Sequence, residues 1–187
     1  MKQGKLVIIS APSGGGKNTI VEQLIARIPG SARLVTTTTR EIRPKEHEGV
    51  DYFFVSHDAF QKLIEHDELV EYNEYVGNFY GVQKKHLHEF LQKHQVVFST
   101  LDVHGKLSLD KLGVQHLSIF LVPESLDTLK ERILRRGGTS KQELQKRIEA
   151  AGYEMGIAKQ YDFSVVNKEG KIDETAEHIV SILKTHL

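Results

Sequence analysis

Three features of the sequence predict an α/β fold built on a parallel sheet with helices on both faces. A β-branched run, Lys5 to Ser10, passes directly into a glycine-rich segment and then into a helical apolar pattern at Ile20, Val21, Leu24, Ile25 and Ile28. Strand-like and helix-like patterns alternate again over the second half of the chain. Between them, roughly over residues 34–82, that rhythm lapses and the chain reads as a mostly β insertion. Strands separated by helices rather than tight turns need crossover connections, and so pair in parallel.

Taken in order, Pro29-Gly30 stops the first helix, and Arg33 to Thr38 reads as one β-branched strand. A charged loop spans Arg40 to Val50. Tyr52 to Val55 is a strand, a helix is expected near Asp58 to His66, and Leu69 to Tyr72 with Phe79-Tyr80 supply further strands around Gly77-Asn78. Val96 to Leu101 and Leu117 to Val122 are strands of the returning pattern, the second ended by Pro123. Leu126, Leu129 and Ile133 space a helix that Gly137-Gly138 breaks. Ser140 and Glu143 have capping-box spacing and open the next helix. Phe163 to Asn167 is the last strand, and Ala176, Ile179, Val180 and Leu183 stripe the closing helix.

The 187 residues suit one compact domain. Lys+Arg and Asp+Glu are both 25, and zero net charge argues against nucleic-acid binding through a cationic surface. Without cysteine there is no disulfide framework or zinc-thiolate site. Nothing approaches a membrane span, so a soluble, cytoplasmic protein with neither nucleic-acid nor membrane partners is expected, and the pattern specifies no oligomeric state. Of the ten histidines, His47, His57, His66, His86, His88, His94 and His104 are scattered among polar positions and read as solvated.

The glycine-rich segment carries the chemistry. In Ala11-Pro12-Ser13-Gly14-Gly15-Gly16-Lys17-Asn18-Thr19, three consecutive glycines let the backbone curl until its N–H groups converge on a phosphate at a helix N-terminus. Lys17 adds a point charge for the β- and γ-phosphates. Ala11 stands where the usual pattern has glycine, and Asn18 where it has Ser or Thr. The segment reads as a P-loop for a nucleotide polyphosphate.

Several segments, in order along essentially the whole chain, resemble guanylate kinases. They are Ser10 to Lys17; Thr37-Thr38-Thr39-Arg40-Glu41-Ile42-Arg43-Pro44; Gly49 to Val55; Gly77-Asn78-Phe79-Tyr80-Gly81; Arg132 to Gly137; Arg147; and Tyr161-Asp162 leading to Asn167. The resemblance implies a three-layer α/β/α P-loop core (1–33, 83–125 and 160–187), a β-rich GMP-binding subdomain (about 34–82) and a helical lid (about 126–159). It also implies transfer of the γ-phosphoryl group of ATP to GMP, and to dGMP, giving ADP and GDP or dGDP. ATP and GMP would be the small-molecule partners.

By the same resemblance ATP is held by Ala11, Pro12, Ser13, Gly14, Gly15, Gly16, Lys17, Asn18 and Thr19, with Asn167 beside the adenine. Thr36, Arg40, Arg43, Tyr52 and Tyr80 hold the GMP phosphate, and Glu71 reads the guanine edge. Val82 replaces the hydroxyl residue that donates to guanine O6, which should loosen affinity and narrow the guanine preference, though Glu71 can still provide it and preference for GMP survives. Lys17, Arg132, Arg136 and Arg147 carry the transfer. Lys168 replaces an acidic residue usual after the asparagine. Magnesium is implied with ATP, and Asn18 is a candidate ligand through its amide oxygen. Asp102 is a candidate through a water or on the GMP side. Thr100 stands where the family has a second acidic residue, so weaker magnesium dependence or lower turnover is expected. The alternative is a catalytically impaired guanylate-kinase-like domain that binds nucleotides or proteins. Asn18, Thr100 and Val82 favour it; intact Lys17, Arg132, Arg136 and Arg147 favour the enzyme.

Overall fold

A computed structural model describes residues 3–75, 77–135 and 140–187. In chain order its elements are β1 (Lys5–Ser10), α1 (Lys17–Arg27), β2 (Ser31–Arg33), β3 (Thr36–Thr38), β4 (Tyr52–Phe54), α2 (His57–Glu65), β5 (Leu69–Tyr75), β6 (Asn78–Gln83) and α3 (Lys84–Lys93). There follow β7 (Val96–Ser99), α4 (Val103–Lys111), β8 (Leu117–Pro123), α5 (Leu126–Arg135), α6 (Lys141–Ile157), β9 (Phe163–Asn167) and α7 (Ile172–His186). A five-stranded sheet has the order β2-β7-β1-β8-β9, and a four-stranded sheet the order β4-β3-β6-β5. The α/β class with a parallel sheet is thus as expected. Among the described residues no helix is long and apolar enough to cross a membrane.

The chain divides into two compact units. One comprises Met1–Leu6, Gly30–Ser99 and His104–Gln115, and contains the four-stranded sheet and the parallel β2–β7 pair. Phe60, fully buried, stacks on Phe79 at 5.3 Å and anchors α2. Ser56 caps that helix by accepting from the Ala59 N–H. The other unit comprises Val7–Pro29, Thr100–Val103 and His116–Leu187. Here β8 pairs in parallel with β1 and with β9. Val7, Ile8 and Ile9 are all fully buried, the continuous apolar run of a strand covered on both faces. The stripe of α7 buries Ala176, Ile179 and Leu183, and α6 opens with the capping box that Ser140 and Glu143 foretell.

Three expectations need correction. Arg33 to Thr38 is not one strand: Arg33 pairs with Phe98 in the parallel sheet, whereas Thr36 pairs with Tyr52 in the other. Leu34 and Val35, both buried, carry the chain across. β-propensity records that a residue suits a pleated surface, not which sheet it joins. Helices α3 and α4 also stand where the sequence reading assigned none; α4 carries Gly105 and Ser108 and forms through tertiary burial of Val103 and Leu109 rather than propensity.

His86 is only partly solvated. Its ring lies 3.9 Å from that of Phe53, and its buried Nδ1 has no hydrogen-bond partner among the described residues. Burial lowers its pKa, with Lys85 adding to the effect and Glu89 opposing it. Below the ordinary imidazole value of about 6.5 the unfolded chain therefore binds the proton first, and stability falls as pH drops toward the folded value. His86→Phe keeps the stack and removes the titration. Its unfolding temperature relative to wild type is expected to be more favourable at about pH 5.5 than at pH 8. An equal difference at both pH values would refute this.

Candidate active site

The P-loop lies in the second unit, between β1 and α1. Its glycines serve different ends. Gly14 and Gly16 have φ of +87° and +90°, the left-handed region that side chains disfavour. Gly15 has no such angle, but a Cβ there would sit 2.6 Å from that of Ala11. The loop closes with the Gly15 N–H donating to the Pro12 carbonyl at 2.8 Å, and Gly16 caps α1 without a side chain. The first turn of α1 carries no acidic residue, so the positive end of its dipole favours an anion there. Lys17 curls back over the loop, donating from Nζ to the Ala11 carbonyl at 2.6 Å.

Asn167, buried at the end of β9, donates from Nδ2 to the Gly15 carbonyl at 2.9 Å. Because a trans peptide points its C=O and N–H in opposite directions, this bond turns the Gly16 N–H to the other side. Asn167 therefore orients the loop as well as lining the adjoining cavity. That cavity, about 330 Å³, is also lined by Gly14, Gly16, Thr19, Arg132, Arg135, Lys168, Glu169, Gly170 and Ile172. Ser13 and Asn18 are exposed on the loop, while Pro12 is buried.

Helix α5 packs straight onto the loop, since a Cβ at Gly14 would meet Ile133 at 3.1 Å and Leu129 at 3.3 Å. The opposite flank of that pair meets α6 through Leu144, Ile148 and Ala151. This packing sets the two helices that carry Arg132 and Arg147. Arg132 donates from Nε to Glu169 at 2.7 Å and from Nη2 to the Asn167 carbonyl at 3.2 Å. Arg135 bonds the other oxygen of Glu169 at 3.0 Å. The two differ in setting: the Arg132 side chain is 14% exposed, that of Arg135 67%. Both arginines lower the Glu169 pKa through these bonds. Arg147 is half-buried on α6, and Arg136 and Gly137-Gly138 lie outside the described residues. Sequence reasoning missed Arg135 and Glu169. The signal available was the acid one place beyond Lys168, which supplies the carboxylate that Lys168 lacks.

The other unit gathers the residues expected at the acceptor except Asp102, which belongs to the unit of the P-loop. Thr36 stands opposite Tyr52, Thr38 opposite Tyr80, and Glu71 opposite Val82. Opposed residues share a sheet face, and alternate residues along a strand return to it, so these side chains lie on one face. The hairpin register decides this: it runs unbroken from Glu74 opposite Phe79 to Glu71 opposite Val82, and the bulge shifts the pairing only beyond Glu71, toward Leu69. Glu71 is buried, not the solvent-facing residue that simple alternation allows. The Tyr52 and Tyr80 rings are 6.0 Å apart, and the Arg40 guanidinium stands 5.5 Å from the Tyr52 ring centre. Burial raises the Tyr52 pKa, which keeps its hydroxyl protonated and able to donate.

Arg40 is held by Glu46, a residue absent from the expected set. Its Nη2 donates to both carboxylate oxygens, at 2.8 and 2.9 Å. Arg43 is exposed, and its backbone N–H donates to the same carboxylate at 2.9 Å. Glu46 reaches them through a turn closed by its own N–H on the Arg43 carbonyl, with Pro44 second and Lys45 third at φ +75°. That is type II geometry, in which the third place favours glycine. A lysine there costs about 1 kcal/mol in backbone strain. Lys45→Gly is expected to stabilise the protein by about 0.5 kcal/mol, net of the extra unfolded-state entropy of glycine. Urea unfolding should show a higher midpoint at unchanged slope; a lower midpoint would contradict the strain.

A metal accompanying nucleotide phosphates needs hard oxygen donors, few of them from protein. Ser10 Oγ donates to the Leu101 carbonyl at 2.8 Å, tying the residue before Asp102 to the strand end that opens the P-loop. Asn18, an exposed residue, offers an amide oxygen and Asp102 a carboxylate, both donors of the chemical kind magnesium accepts.

A glycine loop wound between a parallel strand and a helix N-terminus, with a lysine reaching back over it, defines a P-loop nucleotide-binding protein. Comparison with known proteins narrows the class. The family model for guanylate kinase matches residues 3–186. The guanylate kinase of Trichodesmium erythraeum (strain IMS101) is 37% identical over 183 residues, spanning 98% of this chain and 97% of its own. That of Desulfitobacterium hafniense (strain Y51) is 37% identical over 166 residues, spanning 89% and 83%. The crystal structure of guanylate kinase from Anaplasma phagocytophilum superposes with a TM-score of 0.73 at 30% identity, covering 99% of this chain and 87% of that one. The chain belongs to the guanylate kinase family.

Proposed function

We infer that the protein is an ATP-dependent phosphotransferase that passes the γ-phosphoryl group of ATP to GMP, yielding ADP and GDP. The observation that carries the acceptor assignment is the single sheet face shared by Thr36, Tyr52, Tyr80, Val82 and Glu71, with the Arg40 guanidinium beside Tyr52. Thr36, Arg40, Arg43, Tyr52 and Tyr80 bind the monophosphate, the guanidinium groups by charge and the hydroxyls as neutral donors. The Glu71 carboxylate accepts from guanine N1–H and N2–H, where adenine offers no N1 donor. Asp102 acts on the GMP side or through a metal-bound water.

At the donor the loop amides, the α1 N-terminus and Lys17 hold the β- and γ-phosphates. A GMP phosphate oxygen attacks the γ-phosphorus while its bond to the bridging β–γ oxygen breaks and ADP departs. Arg132, Arg136 and Arg147 neutralise the charge spread over the transferring group. Kinases of this kind use a divalent metal; magnesium, held by Asn18 and through water by Asp102, would neutralise phosphate charge when bound. The segment of about 34–82 serves as the GMP-binding subdomain and that of about 126–159 as the lid, on a core of 1–33, 83–125 and 160–187. A cysteine-free chain using ATP suits the cytoplasm.

Coupled ADP-release assays with ATP and magnesium, offering GMP, dGMP, AMP, CMP and UMP in turn, test this reading. Turnover with GMP and dGMP is expected, and preference for another base would overturn the acceptor assignment. Glu71→Gln is expected to lower kcat/KM for GMP by roughly 10- to 100-fold, the worth of a charge-assisted hydrogen bond. An unchanged value would remove Glu71 from base recognition.

A further inference from the structure

The loop between β3 and β4 contains an ion pair, Arg40 with Glu46, whose acidic member the transfer chemistry leaves without a role. Arg40 has five N–H donors. Two bonds from Nη2 go to Glu46, and Nη1 donates to the Glu41 carbonyl at 2.6 Å. The guanidinium is thus held along one side, with Tyr52 and Phe54 ring centres 5.5 and 5.7 Å away. Both partners are mostly enclosed, the Arg40 side chain 12% and the Glu46 side chain 20% exposed. Glu46 in turn is fixed by the Arg43 N–H and by the strained turn at Lys45. An exposed ion pair gains little, because two long side chains must be ordered in water. This one is shielded, doubly bonded and built on a strained backbone.

We propose that Glu46 is a positioning residue for the acceptor phosphate. Its carboxylate holds the Arg40 guanidinium in place before the nucleotide arrives, so that the remaining donors meet the phosphate already oriented. An arginine left to itself loses rotamer freedom on binding, and that loss weakens affinity; prior anchoring removes it. Glu46 also ties Arg40 to the Arg43 backbone, so the two arginines of the loop are set by one group. The Arg40 bond holds the Glu46 carboxyl below its usual range, so the anchor stays ionised at neutral pH. The proposal rests on Arg40 being a ligand of the GMP phosphate.

The test compares wild type with Glu46→Gln and Glu46→Asp by steady-state kinetics, with guanosine as a competitive inhibitor that has the base but no phosphate. Glu46→Gln is expected to raise KM for GMP by about 10- to 100-fold, the range for loss of a charged hydrogen-bonded partner. KM for ATP should stay within about twofold and guanosine inhibition should be unchanged, as neither ligand uses the Arg40 site. Glu46→Asp should restore part of the loss. An unchanged KM for GMP overturns the proposal. So does a lower one, which would make Glu46 a competitor of the phosphate. Equal losses toward GMP, guanosine and ATP also overturn it, as the mark of general destabilisation. If Arg40→Ala leaves KM for GMP unaltered, the assignment of Arg40 itself is wrong and the proposal falls with it.

Discussion

Replacing Arg132 by alanine is expected to lower kcat by about 10³-fold or more while both KM values stay within a few-fold. Charge on the transferring phosphoryl group peaks in the transition state, so a guanidinium aimed at it acts mainly on kcat. Arg132 is suited to this. It projects from a helix whose Leu129 and Ile133 press on the P-loop, and it reaches the Asn167 carbonyl, whose own side chain holds Gly15. Its partner Glu169 is half-exposed, so exchanging that carboxylate for a phosphate oxygen costs little. Arg135 shares Glu169 but is largely exposed, and Arg135→Ala should leave kcat within a few-fold. Steady-state rates with circular dichroism as a check on folding decide the matter. Equal losses from both variants would assign the effect to the Glu169 cluster rather than to Arg132.

Phe120→Ala is expected to destabilise the protein by about 3–5 kcal/mol, the usual cost of emptying a buried aromatic site. Phe120, in β8, is fully buried against Val103, Ile157, Ala158 and Tyr161, with the Tyr161 ring edge-on at 5.2 Å. For a chain of this size the unfolding temperature should drop by roughly 10 °C. Val166→Ala, on the half-exposed side of neighbouring β9, should change stability by no more than about 0.5 kcal/mol. The loss should also reach function. Phe120 lies in β8, the strand paired with β9, which delivers Asn167 to Gly15, so KM for ATP is expected to rise near the unfolding transition before secondary structure is lost. A loss of only about 1 kcal/mol in urea unfolding would show that the site collapses around the deletion.

Much of the donor site could be read from the chain, because the information there is local. β1, three glycines and the start of α1 are contiguous, and each glycine is required by an angle or an approach within a few residues or by one neighbour. The helix at Leu126 to Ile133 and the capping box at Ser140 are local too, and they placed Arg132 and Arg147 on helices. Where the reading failed, the missing term was a partner distant in sequence. Arg33 to Thr38 has uniform β character, yet its two ends pair with different sheets. His86 looks like a polar surface position until Phe53, 33 residues earlier, stacks on it. Glu169 is one acid among many until Arg132 and Arg135 converge on it.

By itself the sequence determined the class of the protein: an α/β chain with a phosphate loop, a charged Thr-Thr-Arg segment and arginines at helical spacing. Tertiary structure alone decided how the acceptor face is composed. Glu71 joins Tyr80 and Val82 because β5 and β6 pair in one unbroken register from Glu74 opposite Phe79 to Glu71 opposite Val82, the bulge falling only between Glu71 and Leu69. Side chains alternate strictly along a strand, so a register one residue different would reverse the face of each of them. Which register forms depends on cross-strand pairing, and composition carries no record of it. The same holds for Glu46, whose contact with Arg40 depends on a backbone angle at Lys45 that lysine does not favour and the surrounding fold imposes.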